Sequence, residues 1–382
     1  MRKINYEYQK NKEDFLDEYY NCISLNINNE ADICNEIIKL EDHETWNLKK
    51  LVTANFNELI DFTKKIEGLN PEDLNKLFKW EKNGKTEYLY TQLQRNISDF
   101  FIEQKINIKS CFYCNIEFIN PFNQFIEYKT IDDFFKTATE DEWKELISEK
   151  KGVEIYNYIR LNPHHKTKNL EINIKNIGNK TINKITLENI NRLKKFKDHF
   201  TLDHLIPKGK YPSLSISLFN LIPSCYSCNS KFKTTKVFDN LDTLHKISPS
   251  SETFNLDESL VFKINFDIDN YFENGNKNLD LIDVKLTNLT SEKDVDKFID
   301  MFNLKGRYEF HKNIALDLLE KRKMYSDSQL DEIEKIFSDN NIKIDKETLK
   351  KQIFSSVIFE RENTNEPFEK YKKDIAKQLG LL

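Results

Sequence analysis

The sequence lacks several features that would assign it to a large class of proteins. No run approaches the roughly 18 apolar residues that a membrane-spanning helix needs, so we expect no membrane segment. Residues 1–7 are charged and have no apolar core, so we expect no secretory signal and a cytoplasmic location. The sequence has no internal repeat and no Walker-type phosphate loop, so any ATP hydrolysis would have to come from another protein.

Glycine and proline are scarce, with eight of each among 382 residues, whereas Asn, Lys and Ile are abundant. We interpret this bias as the mark of an AT-rich coding sequence, and no function follows from it. Hydrophobic residues make up 38% and aromatic residues 12%, which is typical of a folded globular protein. The length allows two or three units with cores of their own.

The six cysteines comprise two CxxC pairs and two isolated residues, Cys22 and Cys34, which we expect to be buried small hydrophobes. Two CxxC pairs predict a tetrahedral zinc site in which each pair supplies two thiolates. The gap of 110 residues (225 − 114 − 1) exceeds that of an ordinary zinc ribbon, so the pairs either clip a long insertion or are unrelated motifs. A disulfide is the main alternative, but a reducing cytoplasm favours metal. The pairs are Cys111 with Cys114, and Cys225 with Cys228.

Polar residues around the second CxxC pair have the side chains that phosphodiester hydrolysis needs. His204 can accept a proton from water, because an unperturbed pKa of about 6.5 leaves the ring partly neutral. Asp203 and Asn229 offer hard oxygen ligands, which suit Mg²⁺ and, somewhat less, Mn²⁺. Asn220 can bond backbone on both sides of a loop and so hold the imidazole against the metal.

The spacing Asp203-His204-x2-Pro207, then Asn220-Leu221-x3-Cys225-x2-Cys228-Asn229-x-Lys231, resembles the HNH endonucleases, also called ββα-metal or His-Me finger nucleases. The resemblance implies a β-hairpin followed by a helix, with His204 as general base, Asp203 and Asn229 as metal ligands and Asn220 in a structural role. Many members have His where this chain has Asn229, and others have Asn. We therefore expect Mg²⁺ rather than Zn²⁺ or Ni²⁺ at the catalytic site.

The amino-acid sequence around this motif is similar to that of a narrower subgroup of HNH proteins. Residues 200–212 and 218–225 resemble prokaryotic HNH proteins found beside an ATPase partner in anti-phage systems of the Septu kind. Residues 302–312 and 321–325 resemble the C-terminal helices of that subgroup. The subgroup also carries an earlier CxxC before the hairpin, which favours the interpretation that the two CxxC pairs clip a long insertion. The resemblance implies a structural zinc ion, an ATPase partner and a role in antiviral defence.

Basic charge is concentrated around the motif. The chain carries a net charge of −5, but residues 192–236 contain nine Lys or Arg against two Asp, a local charge of +7 (9 − 2). The remainder is therefore −12 (−5 − 7), so a phosphate backbone would bind near the motif. A solvated lysine-rich surface is the alternative interpretation. The candidate phosphate contacts are Lys208, Lys210, Lys231 and Lys233.

The predicted fold class is α+β. Its ββα-metal core is clipped by a Cys₄ zinc site and flanked by mainly helical regions. Residues 1–104 form a helical region, 105–240 the nuclease core and 241–382 a β-hairpin plus helices. Within the core, residues 115–198 are an insertion. Finer predictions are helices over 131–149 and 229–236, hairpins around 178–179 and 274–276, strands over 260–266 and 279–286, and a linker over 248–252.

The sequence thus favours a metal-dependent endonuclease that cuts DNA and leaves 5′-phosphate and 3′-hydroxyl ends. In this hypothesis His204 activates water while one Mg²⁺ on Asp203 and Asn229 stabilises the departing 3′ oxygen. One alternative is a zinc-stapled module that binds nucleic acid or protein without cutting. Another is an RNA-cleaving toxin with the same core, because the motif handles phosphodiesters and does not read the sugar.

Overall fold

The computed structural model describes residues 1–6, 11–40, 46–69, 71–123, 128–162, 185–191, 193, 196–197, 199–238, 240–266 and 279–382. Within them, four small antiparallel sheets of two strands each lie among many helices. This mixture confirms the α+β class. The strands are β1 Lys79–Lys82, β2 Lys85–Tyr88, β3 Phe122–Asn123, β4 Phe196–Lys197, β5 Thr201–His204, β6 Leu221–Ser224, β7 Leu260–Phe266 and β8 Ile282–Asn288.

The helices lie on both sides of the motif. Before it are α1 Lys12–Ser24, α2 Glu30–Leu40, α3 Leu48–Thr53, α4 Phe56–Leu69, α5 Glu72–Phe78, α6 Leu89–Glu103, α7 Ile131–Thr137, α8 Glu140–Leu146, α9 Glu149–Leu161 and α10 Leu187–Asn191. After it are α11 Leu241–Ile247, α12 Leu256–Ser259, α13 Lys293–Met301, α14 Leu304–Phe310, α15 Lys312–Met324, α16 Asp327–Asp339, α17 Lys346–Phe354, α18 Ser356–Phe359 and α19 Glu369–Gln378. Short 3₁₀ turns are Pro212–Ile216, Leu218–Asn220 and Leu279–Leu281, and Ser227–Lys233 is a π-helix. None of the described helices combines the length and the apolar character needed to cross a membrane.

The N-terminal region is not entirely helical, and that part of the prediction is wrong. After α5 the chain forms the hairpin β1–β2, in which Trp80 Nε1 donates to Glu87 Oε2 across the strands at 3.2 Å. The turn is Asn83-Gly84, with φ of 52° and 72°. Both residues are in the left-handed region that a tight hairpin turn requires, and an Asn-Gly pair adopts it at little cost.

The segment predicted as a linker over 248–252 is instead packed into the protein, so this prediction is also wrong. Ser248, Ser250 and Ser251 are buried, and Ser250 Oγ donates to the carbonyl of Phe219. The backbone N–H of Ile4 donates to the carbonyl of Pro249 at 2.7 Å. Serine hydroxyls can be buried here because they find hydrogen-bond partners within the fold.

The C-terminal hairpin β7–β8 agrees with the predicted strand over 260–266, but its second strand begins at Ile282 rather than 279. Side chains of α19 cover the free edge of β7. Asp374 accepts a hydrogen bond from the N–H of Phe262, and Gln378 bonds both the N–H and the carbonyl of Ile264. These bonds satisfy backbone groups that an open edge strand would expose. The turn predicted around 274–276 lies outside the described residues.

The chain divides into two compact units, one of residues 1–120 with 199–382 and one of residues 121–198. The first unit has a continuous apolar core to which the N-terminal helices, the β5–β6 hairpin and the C-terminal helices all contribute. The sequence-based boundaries near 104 and 240 fall inside this core. The motif is therefore held by elements from both ends of the chain.

The unit of residues 121–198 has its own small core, in which Phe134 packs against Trp143 with ring centroids 4.7 Å apart. The helix predicted over 131–149 breaks before Thr139, whose side chain forms a capping box with Glu142 and starts α8. Helices α8 and α9 pack so closely that a Cβ on Gly152 would lie 2.5 Å from the backbone of Lys144. The hairpin predicted around 178–179 lies outside the described residues.

Candidate active site and metal centre

The motif lies on the β5–β6 hairpin and the helical segment that follows it. In the antiparallel register Asp203 pairs with Ile222 and His204 with Leu221. Leu202 on β5 and Leu221 and Ile222 on β6 are apolar and buried, which seats the hairpin against the core of the first unit. The Asp-His pair therefore stands at the end of β5, where the chain leaves the sheet.

Asn220 holds the loop that joins β5 to β6. Its Oδ1 accepts the N–H of Ile206 at 2.7 Å, and its Nδ2 donates to the carbonyls of Ile206 and Leu214, both at 3.0 Å. The side chain is fully buried, so each of these bonds replaces one that water would make. Residues 205–214 are thereby tied to the start of β6.

His204 is a neutral imidazole with a defined tautomer. Its Nε2 lies 2.8 Å from the carbonyl oxygen of Ser215. A carbonyl only accepts hydrogen bonds, so Nε2 carries the proton and Nδ1 keeps the lone pair. The ring is 6% exposed and packs edge-on against Tyr90, with centroids 4.5 Å apart. Burial and, less strongly, the charge of Lys208 lower the pKa of His204 to about 3.

Asp203 is enclosed by hydrogen-bond donors. The hydroxyl of Tyr113 donates to its Oδ2 at 2.6 Å. The ammonium of Lys233 lies 2.9 Å from Oδ1 and 2.8 Å from Oδ2, and it also donates to the carbonyl of His204 at 2.6 Å. Burial, and then the charge of Asp203, raise the pKa of Tyr113 far above its usual range, so the phenol keeps its proton.

Asn229 lies on the π-helix Ser227–Lys233, next to strand β5. Its Nδ2 donates to Thr201 Oγ1 at 3.0 Å. With the amide nitrogen turned toward β5, Oδ1 is the atom that can serve as a metal ligand. The π-helix ends at Thr234, whose φ of 50° is unusual for a β-branched residue.

These groups line a cavity of about 460 Å³. Its wall includes Asp203, His204, Asn229, Lys208, Lys233 and Lys236. The cavity brings an imidazole, a carboxylate, a side-chain amide and several ammonium groups together. Three residues of the predicted motif, Asp203, His204 and Asn229, thus line one cavity, and Asn220 does not.

The four lysines proposed to contact phosphate have different environments. The Lys208 ammonium lies over the rings of Tyr88 and Tyr90, at 5.1 and 4.8 Å, and burial lowers the pKa of Lys208. Lys210 forms an ion pair with Glu67, and Lys231 is exposed. Lys233 is 4% exposed and held by Asp203, which differs from the surface cation expected from the sequence.

The two CxxC pairs form one buried cluster, as predicted. Their four sulfur atoms all lie within 4.8 Å of one another, and all four thiols are free of disulfides. A Zn–S distance of about 2.3 Å puts tetrahedral sulfur atoms about 3.8 Å apart, so a small contraction would accommodate zinc. The donor set fits a structural metal ion such as zinc. The cluster comprises Cys111, Cys114, Cys225 and Cys228.

Arg307 of α14 packs over this cluster. It donates to Cys228 Sγ at 3.2 Å and to Cys114 Sγ at 3.4 Å, and it pairs with Glu117 at 2.9 Å. Its neighbour Tyr308 donates to the carbonyl of Cys114 at 2.5 Å. A zinc ion with four thiolates carries a net negative charge, which the guanidinium would partly offset.

Several residues of the site were not predicted from the sequence. Tyr113 lies between the cysteines of the first pair, and that position was the only signal that connects it with the site. Ser215 contributes a backbone carbonyl, so its side chain gave no signal. Tyr88 and Tyr90 belong to or follow the unpredicted hairpin β1–β2, and Arg307 comes from a distant helix.

Comparisons of the chain with protein-family models, with curated proteins and with solved structures find no match in any of the three. The chemistry of the site follows from its own geometry. A neutral base and a buried carboxylate face a cavity with several ammonium groups. In general, ammonium groups favour anions such as phosphate, and a neutral imidazole is a group that can accept a proton from water.

Proposed function

We propose that the protein is a metal-dependent endonuclease that hydrolyses phosphodiester bonds of nucleic acid, with DNA as its substrate. The observation that carries the proposal is His204, which is neutral, has a defined tautomer and lies beside Asp203 in a lysine-lined cavity. A site that only bound nucleic acid would not need a base beside a hard oxygen ligand. The hairpin β5–β6 with its following helical segment supports the ββα-metal interpretation.

In this mechanism His204 takes a proton from water at Nδ1. The hydrogen bond from Nε2 to Ser215 holds the ring so that the lone pair cannot exchange places with the proton. Asn220 contributes by holding the loop that carries Ser215, since it bonds the adjacent carbonyl of Leu214. The base is therefore aligned before substrate arrives.

The donor types of the centre suit a hard divalent cation. The Asp203 carboxylate and the Asn229 Oδ1 would hold it, in keeping with the preference of Mg²⁺ and Mn²⁺ for oxygen. When bound, such an ion supplies electrostatic stabilisation of the departing 3′ oxygen. In this proposal the four-cysteine cluster binds a structural zinc ion and takes no part in catalysis.

The partner and the biological role rest on the sequence resemblance. We propose an ATPase partner protein and a function in prokaryotic antiviral defence on that ground alone. RNA as the substrate is the second possibility, because the motif acts on the phosphodiester and does not read the sugar. The cleavage experiment described next uses both DNA and RNA and so distinguishes the two substrates.

The test is cleavage of supercoiled plasmid and of single-stranded RNA by zinc-loaded wild type and His204→Ala, with Mg²⁺, Mn²⁺ or EDTA. His245→Ala is the matched control, because His245 is a partly buried histidine of α11 outside the cavity. Wild type and the control should cut with metal and stop with EDTA, whereas His204→Ala should bind nucleic acid and leave it intact. Equal cleavage by His204→Ala would refute the proposed base.

A non-cleaving binding module is a second candidate, and one observation favours it. Lys233 forms an ion pair with both oxygens of Asp203, the carboxylate that the nuclease proposal needs for its metal ion. If this candidate is correct, wild type binds nucleic acid with a steep salt dependence but cuts neither DNA nor RNA under any metal condition. His204→Ala would then bind as wild type does.

A further inference from the structure

Lys233 makes contacts that leave it no capacity to bind phosphate. An ammonium group has three N–H donors. Its nitrogen lies within 2.9 Å of both carboxylate oxygens of Asp203 and 2.6 Å from the carbonyl of His204. The side chain is almost completely buried. Lys233 is therefore a fixed part of the centre.

The position of this ammonium conflicts with a metal ion on the same carboxylate. A divalent ion such as Mg²⁺ binds a carboxylate oxygen at about 2.1 Å. The Lys233 nitrogen lies 2.8 Å from Oδ2 and 2.9 Å from Oδ1. Lys233 contacts both carboxylate oxygens, and two like charges so close together in a buried site repel strongly, so Lys233 in this position disfavours a metal ion on Asp203.

The backbone that carries Lys233 is itself in an uncommon conformation. Residues 227–233 form a π-helix, and the N–H of Thr234 closes its last turn by donating to the carbonyl of Asn229 at 3.0 Å. Thr234 then adopts φ 50° and ψ −113°. A π-helix is rare and a β-branched residue at positive φ is strained. Lys233 and Asn229 therefore lie on the same π-helical segment, which Thr234 closes.

We propose that Lys233 is the resident cation of the Asp203 site and that a divalent metal ion binds only by displacing it. The inference deepens the proposed nuclease function and rests on it. With Lys233 in place the carboxylate is neutralised and the centre is closed to metal. Displacement opens Asp203, so that its carboxylate and the Asn229 Oδ1 can hold the ion together. Lys233 is a positioning residue, because it acts through Asp203 and determines how readily the centre binds a divalent metal ion.

The test is Mn²⁺ binding to zinc-loaded protein, measured by electron paramagnetic resonance of the free ion. Lys233→Gln removes the charge and keeps an amide that can donate to Asp203. It should bind Mn²⁺ about tenfold more tightly than wild type, or better. Lys231→Gln is the matched control, because Lys231 is exposed on the same helical segment, and it should bind as wild type does. Asp203→Asn should abolish binding in both backgrounds.

Unchanged or weaker Mn²⁺ binding by Lys233→Gln would overturn the inference. Because this variant leaves a buried carboxylate without its counter-ion, its melting temperature is measured with and without Mn²⁺. Mn²⁺ should raise the melting temperature of Lys233→Gln more than that of wild type. If the variant is unfolded without metal, recovery of its circular dichroism spectrum on adding Mn²⁺ supports displacement, and no recovery contradicts it.

The outcome for Lys233 can be separated from the outcome for the nuclease function. If Lys233→Gln gains Mn²⁺ affinity while no form of the protein cuts DNA or RNA, the competition stands and the nuclease proposal fails. If cleavage depends on His204 while Lys233→Gln binds Mn²⁺ as wild type does, the nuclease proposal stands and the competition fails.

Discussion

Tyr113 donates a 2.6 Å hydrogen bond to Oδ2 of Asp203, and this bond joins the first CxxC turn to the strand that carries His204. The tyrosine lies between two cysteines of the metal cluster, and its ring stacks on Phe302 with centroids 4.7 Å apart. The proposed zinc site and the proposed catalytic centre are therefore separated by one side chain. Tyr113 thus connects the cysteine cluster directly to the carboxylate of Asp203.

Replacing Tyr113 with Phe removes only this hydroxyl. We expect the free energy of unfolding to fall by about 1.5–3 kcal/mol, because the lost bond goes to a buried charged group. We also expect DNA cleavage to slow by about tenfold, as is usual when a group that orients a metal ligand is lost. Urea unfolding and plasmid nicking measure the two effects. Tyr226→Phe, at a side chain 61% exposed, should change neither; a Tyr113→Phe protein indistinguishable from wild type would show that the bond is dispensable.

Replacing Cys111 with Ser should release zinc and lower the melting temperature. One thiolate of four is lost from a buried site whose metal binding contributes to folding. Zinc content by elemental analysis and a thermal melt measure the result. Cys34→Ser is the control, because Cys34 is partly buried on α2 and lies outside the cluster. Full zinc retention by Cys111→Ser would mean that this cysteine is not a ligand.

Replacing Arg307 with Met should speed the loss of zinc to a chelator by about tenfold. The guanidinium donates to two cluster sulfurs, and without it the negative charge of the thiolates is less well compensated. A colorimetric chelator follows the release over time. Arg361→Met, at an exposed position, controls for loss of charge. The assigned role is incorrect if both variants release zinc at the rate of wild type.

Replacing Asn220 with Asp should lower the free energy of unfolding by about 2–5 kcal/mol. The change removes both donors to Ile206 and Leu214 and places an unpaired charge in a fully buried position. Denaturant unfolding measures the loss. Asn47→Asp is a suitable comparison, because Asn47 caps α3 with its side-chain oxygen and Asp caps equally well. A stability equal to that of wild type would remove Asn220 from its bracing role.

Acid should weaken an ion pair at the C-terminal end. Burial acts to raise the pKa of Glu369, but Arg2 and Lys373 outweigh it and hold this pKa below its usual value of 4.5. Because the folded-state pKa is lowered, the contribution to stability is present above pH 4.5 and is lost as pH falls through the folded pKa. Unfolding free energies of wild type and Glu369→Gln between neutral and acid pH should therefore converge. Curves that stay parallel would contradict this assignment.

Local pattern predicted part of the fold and of the site. Strand β7 and the helical C-terminal region follow from apolar periodicity alone, and the α+β class follows from their mixture. The hairpin β1–β2 was missed because its turn signal, Asn83-Gly84, lies in a stretch with helical spacing on both sides. The helix predicted over 131–149 was too long because the cap at Thr139 was not recognised.

The sequence by itself determined which residues can do chemistry and which of them are near one another. Asp203 and His204 are adjacent, and Cys225, Cys228 and Asn229 follow just after the hairpin that carries this pair, so short-range spacing is sufficient to group them. The tertiary structure decided the environment of each group. Tyr113, Ser215 and Arg307 reach the site through contacts between distant segments, and burial of Lys233 turned an expected surface cation into the counter-ion of Asp203. Such contacts depend on how the whole core packs, and side-chain charge and solvation follow from that packing.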